Sequence, residues 1–249
     1  MDTRLVYDQN AHNWLRVEPS SVSDYTARPH VFDACGQLDN KSVLDLGCGE
    51  GYCARELKRR GAGDYLGVDL SERMIEIARQ LEEQDQYGIE YRCENVLEFN
   101  PAQKYQLCIA VFLFNYLKID EMASVMTMVY ESLDDNGQFV FSVPHPFFPF
   151  LYRENSKPFY FDAGGGDYYD SVDRVFEGEI WKRNGESLHV QCVHKKFSDY
   201  FDALHEAGFS GIHAVEELTV TKEHVELDRA FFSPIYNAPL HVLFSVKKQ

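Results

Sequence analysis

Short apolar runs of strand length alternate with amphipathic stretches of helix length along most of the first 145 residues. Val43–Leu46 is an apolar run broken only by Asp45, and it stops at a glycine. Tyr52–Arg60 then reads as a helix closed by Gly61. Tyr65–Val68 reads as a second strand. A helix follows from Ser71, a favourable N-cap, to about Gln84, with Met74, Ile77, Ala78 and Leu81 on one face. Glu90–Cys93 and Leu107–Phe112 are a third and fourth strand, Glu121–Leu133 a helix, Asp134–Gly137 ("DDNG") a turn, and Gln138–Val143 a fifth strand. Strands alternating with helices predict an α/β fold, a doubly wound Rossmann-like parallel sheet covered on both faces.

The rhythm breaks between Pro144 and about Val193. This stretch is rich in Pro, Gly and aromatics, among them Phe147, Phe148, Phe150, Phe159, Phe161, Tyr168 and Trp181. The alternation in "EGEIW" and "SLHVQCV" predicts a small antiparallel hairpin. Ser198–Ala207 returns to a helix ended by Gly208. Gly211–Glu217 and His241–Lys247 read as late strands with a loop-like insertion between them.

A chain of 249 residues fits one large α/β domain or one domain with a sizeable insertion. Forty Asp and Glu against 24 Lys and Arg leave a net charge of −16. Such a surface repels phosphate backbones and anionic membranes, so neither is expected as a partner, while a small neutral or cationic substrate is compatible. A monomer or homodimer is expected. No run approaches the length of a membrane-spanning helix, and the first 20 residues hold no apolar signal region. Six Cys form no C-x-x-C pair and read as small core residues in a reducing cytoplasm, neither a disulfide framework nor a zinc site. A glycosylation match at Asn40 abuts a core strand and is discounted.

The candidate chemistry begins at "VLDLGCGEGY". Glycines let a backbone approach a ligand closely and turn into a helix whose amides face the site. The spacing Gly47-x-Gly49-x-Gly51 is one residue tighter than the dinucleotide fingerprint. Glu50 in the loop would meet a pyrophosphate with like charge, and Asp45 precedes it. That arrangement suits a cationic ligand group. A plain strand–helix turn is the alternative reading.

"LDLGCGEG", "YLGVDLS" and "VDLSERMIEIAR" resemble motif I and the following strand of the class I S-adenosylmethionine-dependent methyltransferases. The resemblance runs from about Asn40 to Pro146 and resumes near Val193. It implies a seven-stranded sheet in the order 3-2-1-4-5-7-6 with the last strand antiparallel. It implies S-adenosyl-L-methionine as cofactor, with S-adenosyl-L-homocysteine as product. It places Asp45, Gly47, Cys48, Gly49 and Gly51 against the methionine portion, Asp69 on the ribose and Leu70 on the adenine. After the third strand the family often carries an Asp. Here Asn95 stands there, followed by Val96; Asn95 would accept a bond from the adenine amino group through its side-chain oxygen, with Glu94 the alternative. Ala110, Val111 and Phe112 would line the cofactor, and Asn115 and Tyr116 open the next loop. Ordinary core packing is the competing reading for Phe112 and Tyr116.

Open α/β sheets bind ligands outside the carboxyl ends of their strands, where "SVPHPFFPF" delivers His145 between Pro144 and Pro146. Two readings stand for it: contact with the substrate as a general base for a hydroxyl, or a hydrogen-bonded anchor of the insertion. The resemblance divides the chain into a helical N-terminal lid segment (1–40), a cofactor-binding core (41–145 and 194–249) and a substrate lid insertion (146–193). Tyr7, Trp14, Tyr116, His145, Phe147 and His194 are the substrate-side candidates. The aromatic load of the insertion fits a small aromatic or apolar acceptor whose O or N nucleophile takes the methyl group. No metal is expected. An NAD-dependent oxidoreductase and a non-catalytic S-adenosylmethionine-binding module are the rival readings.

Overall fold

The computed structural model describes residues 8, 11, 13–16, 18–151, 157–211 and 214–249. Its strands in chain order are β1 (Val43–Leu46), β2 (Tyr65–Asp69), β3 (Ile89–Cys93), β4 (Tyr105–Val111), β5 (Leu133–Pro144), β6 (Phe159–Asp162), β7 (Val175–Trp181), β8 (Ser187–Val193), β9 (Ala214–Leu218) and β10 (His241–Lys247). Seven of them form one sheet in the order β3-β2-β1-β4-β5-β10-β9. β1 to β5 run parallel, and β10 is antiparallel to both β5 and β9. With β9 and β10 as the sixth and seventh strands of the core sheet, this is the expected order.

The strands alternate their side chains between two apolar layers. Leu44, Leu46, Cys108, Ala110, Phe139, Phe141 and Phe244 face the helices Ile119–Ser132 and Phe197–Ala207. Val43, Tyr65, Leu107, Ile109, Val140 and Leu243 face Arg28–Ala34, Tyr52–Arg59 and Glu72–Asp85. All four residues of β1 are buried, as a central parallel strand requires. Phe141 and Phe244 stack at 4.6 Å between ring centroids, and both are fully buried. Each such side chain contributes about 1.5–3 kcal/mol of apolar burial. Ser71 caps its helix by accepting the Met74 amide at 3.2 Å.

Three expectations change. "DDNG" is not a free turn before the strand: Leu133 already pairs with Tyr105, and the ladder resumes at Gln138 opposite Leu107, so Asp134–Gly137 is looped out within β5. Asn136 takes φ 63° to make that bulge. The predicted hairpin gains a third strand, β6, so that β6-β7-β8 form a separate antiparallel sheet. The stretch between β9 and β10 is not a loop but two short helices, Lys222–Leu227 and Arg229–Phe232, and a turn at Ser233–Ile235. Segments of three to six residues are too short for a 3.6-residue period to register. Phe232 and Ile235 pack there with Trp14, Val22, Phe159, Phe161 and Val190 in a third apolar cluster. Among the described residues no helix is long and apolar enough to cross a membrane.

Candidate active site

A cavity of about 360 Å³ opens at the carboxyl ends of β1, β2 and β4. Its floor is Asp45, Gly47, Cys48 and Gly49, continued by Asp69, Leu70, Asn95, Val96, Val111 and Phe112. Phe159, Phe161, Ile180 and Val190 of the three-stranded sheet form an apolar wall, and Trp14, Arg16, Val22 and Arg28 close it from the N-terminal side. The structure therefore brings together nearly all the expected cofactor-side residues, with Trp14 and Tyr116.

The loop conformation explains the glycines. Gly47, Gly49 and Gly51 have φ of 71°, 55° and 80°, a region in which a β-carbon is strained. No atom stands within 4 Å of where a Gly49 β-carbon would be. Gly51 is different: it does not line the cavity, and its missing β-carbon would lie 2.2 Å from Tyr91 Oη. Its place is at the head of the helix Tyr52–Arg59, packed against β3.

Asp69 ties the loop to the next turn. Its Oδ2 accepts the Gly49 amide at 2.8 Å and its Oδ1 the Ser71 amide at 2.9 Å. Each oxygen has a second lone pair for a ligand hydroxyl. Burial raises its pKa. Glu50 is not the free negative charge that the loop sequence implies. It is 2% exposed and pairs with Arg16 at 3.0 Å and Arg55 at 3.1 Å. Arg16 also pairs with Asp24 at 3.2 Å, which in turn holds Arg28 at 2.8 Å.

Asp45 accepts the Tyr65 hydroxyl at 2.9 Å, and burial pushes its carboxyl up to about 7. A carboxyl whose pKa rises on folding favours the fold fully below its unfolded value near 4. That contribution is lost as pH rises through about 7. Between pH 6 and 8 the protein should lose on the order of 1 kcal/mol of stability that Asp45→Asn does not lose. Denaturant titrations of both proteins at the two pH values check this; parallel curves contradict it.

The histidines need correction. His145 does not line the cavity. Its Nδ1 accepts the Phe147 amide at 3.1 Å, so Nε2 carries the proton and donates to Glu217 at 2.7 Å. Both nitrogens are committed, which is the anchoring arrangement, and neither is a base facing the site. His194 also lies off the cavity wall, with Nε2 donating to the Tyr168 carbonyl at 2.8 Å and its ring stacked on Phe176. Phe147 is 45% exposed beside Phe150 and Tyr168. Tyr7 lies outside the described residues. The Asn95 side-chain oxygen, expected to meet adenine, accepts the Leu97 amide at 3.1 Å.

His241, outside every motif above, and Asn115 also line the cavity. His241 heads β10 and is 2% exposed; burial, then Arg28 and His145, lower its pKa to about 3, so it is neutral. A polar residue opening the apolar run "HVLFSV" is the signal. An antiparallel strand begins where its parallel neighbours end, at the functional edge. Phe112 takes φ 60° between the Arg28 guanidinium, 5.4 Å from its ring centroid, and the His241 ring at 5.1 Å. A bulky residue in that region is strained, and such strain gathers at functional sites. Among the described residues no group of three or more His, Cys, Asp or Glu could hold a metal.

Comparison with known proteins agrees with this geometry. Residues 43–137 match a family model described as a methyltransferase domain. An S-adenosylmethionine-dependent methyltransferase from Mesorhizobium loti superimposes with a TM-score of 0.67 at 23% identity, covering 88% of this chain and 96% of that one. A ubiquinone biosynthesis O-methyltransferase from Acinetobacter baylyi is 34% identical over 55% of this chain and 55% of its own length. A Haemophilus influenzae relative of no stated activity is 29% identical over 57% of this chain and 58% of its own. The chain thus spans less than two thirds of the length of these two relatives. The glycine loop, the acid ending β2 and the sheet order agree with this match: residues 43–137 carry a methyltransferase domain, set in the fold of the S-adenosylmethionine-dependent methyltransferases.

Proposed function

We propose that this protein transfers a methyl group from S-adenosylmethionine to an oxygen or nitrogen nucleophile of a small aromatic or apolar molecule. The observation that carries the reading is the single cavity in which the glycine loop and Asp69 share a chamber with the apolar wall of β6, β7 and β8. The residues present fit the cofactor. Open space above Gly49 admits a close ligand, Asp69 has lone pairs for two ribose hydroxyls, and the buried Asp45 carboxyl complements an ammonium group. Leu70 and Val96 offer apolar faces to the adenine. When bound, S-adenosylmethionine supplies a methyl on a sulfonium whose charge vanishes on transfer. The chain's own part is proximity, alignment and exclusion of water. Trp14 and the sheet β6-β7-β8 act as the cover, and the Tyr116 ring borders the acceptor. The ubiquinone-pathway relative is named for O-methylation, which favours a hydroxyl acceptor. The charge balance favours a small-molecule partner and a cytoplasmic location.

Thermal shift with S-adenosylhomocysteine against NAD tests the cofactor assignment: stabilisation of several degrees by the former alone is expected. Stabilisation by NAD alone overturns it. Labelled S-adenosylmethionine with panels of phenols, amines and acids tests turnover. Tight cofactor binding with no transfer to any class supports the non-catalytic reading.

A further inference from the structure

His241 Nδ1 lies 3.2 Å from Thr26 Oγ1, and that hydroxyl lies 2.9 Å from the Val22 carbonyl oxygen. Both contacts hold together only one way. The single hydroxyl proton goes to the carbonyl, so Oγ1 accepts from His241 Nδ1–H, and Nε2 carries a bare lone pair. Among the described residues no group bonds to that Nε2. Phe159 stacks on the imidazole at 5.6 Å and Phe112 meets it edge-on at 5.1 Å. These rings hold an acceptor atom inside an apolar frame. Asn115 lines the same cavity; its amide is 2% exposed, and its buried Oδ1 has no hydrogen-bond partner among the described residues. Asn115 belongs to the turn Phe114–Tyr116, which packs against β8.

The charges nearby are already occupied. Arg28 bonds Ser23 at 2.6 Å and Asp24 at 2.8 Å, and Arg16 bonds Glu50 and Asp24. A lone pair in an apolar wall repels a carboxylate or phosphate oxygen and stays unpaired against any molecule without a donor hydrogen. An ammonium has no free electron pair with which to take the methyl group. We propose that His241 Nε2 selects the methyl acceptor, and that it is an uncharged aromatic hydroxyl or amine held by its own O–H or N–H. This rests on the methyltransferase reading and narrows its substrate.

The test uses the full chain saturated with S-adenosylhomocysteine and four probes followed by calorimetry: 2-naphthol, 2-naphthylamine, 2-methoxynaphthalene and 2-naphthoate. The naphthol and the amine are expected to bind about tenfold or more tighter than the ether and the acid. His241→Phe is expected to erase that preference while leaving S-adenosylhomocysteine affinity unchanged. Equal behaviour of naphthol and ether in the parent protein, including no binding of either, overturns the proposal. So does a preference that survives in His241→Phe. Nitrogen-15 NMR of labelled histidines, with His241 assigned by its loss in the variant, gives a readout that needs no probe. Protonated Nδ1 with bare Nε2 is expected, and protonated Nε2 overturns the proposal. Failure of S-adenosylhomocysteine to bind at all would instead count against the cofactor assignment.

Discussion

Asp69→Ala is expected to weaken S-adenosylhomocysteine binding by about 100-fold or more. A carboxylate accepting two ribose hydroxyls makes two charge-assisted bonds, each contributing about 1.5–3 kcal/mol. The carboxylate also fixes the site before any ligand arrives, because it holds the Gly49 and Ser71 amides at 2.8 and 2.9 Å. Alanine therefore removes both the ligand's partners and the tie between the glycine loop and the turn after β2. Asp69→Asn separates the two contributions. One amide face still accepts, the other donates, and an intermediate loss is expected. Calorimetric titration checks both variants, with thermal midpoints confirming that each is folded. Unchanged affinity in Asp69→Ala removes the ribose assignment.

Gly51→Ala is expected to damage the fold before it touches the ligand. At φ 80° a β-carbon costs about 1–2 kcal/mol. The new methyl would stand 2.2 Å from Tyr91 Oη and 2.8 Å from its Cζ, an overpacking that costs about 1–3 kcal/mol more. Together these take a large share of a stability of about 5–15 kcal/mol and should lower the melting temperature by on the order of 10 °C. Tyr91 Oη is buried without a partner among the described residues, so Tyr91→Phe should be nearly neutral alone. Combined with Gly51→Ala, it should recover part of the loss. Scanning calorimetry of the three variants decides; a Gly51→Ala protein as stable as its parent removes the packing explanation.

The contrast between these two positions shows what the sequence could disclose. β1, β2 and β4 are legible to within two residues because strands buried on both faces are predominantly apolar. The floor residues Asp45, Gly47, Gly49 and Asp69 follow from where such strands end. Gly51 shares their motif but not their surroundings, since Tyr91 arrives from β3. His145 emerges at the expected edge, yet its side chain turns to Glu217, 72 residues further along the chain. Glu50 reads as a free acid in its own segment and is neutralised by Arg16 from far upstream. β6 was missed because four residues among many aromatics carry no usable period. Patterns local to the chain disclosed the elements; pairings between distant segments decided which way the polar side chains face.

The buried linkage of Arg16, Asp24, Arg28, Glu50 and Arg55 has a consequence for ionic strength. With a net charge of −16, the surface is dominated by repulsion between acids, and dissolved ions screen that repulsion within a Debye length of about 8–10 Å. The linkage itself lies where ions do not reach, with Asp24 and Glu50 side chains 0% and 1% exposed. Added salt thus relieves the unfavourable part of the protein's electrostatics and spares the favourable part, so the clamp on the glycine loop keeps its strength in brine as in dilute buffer.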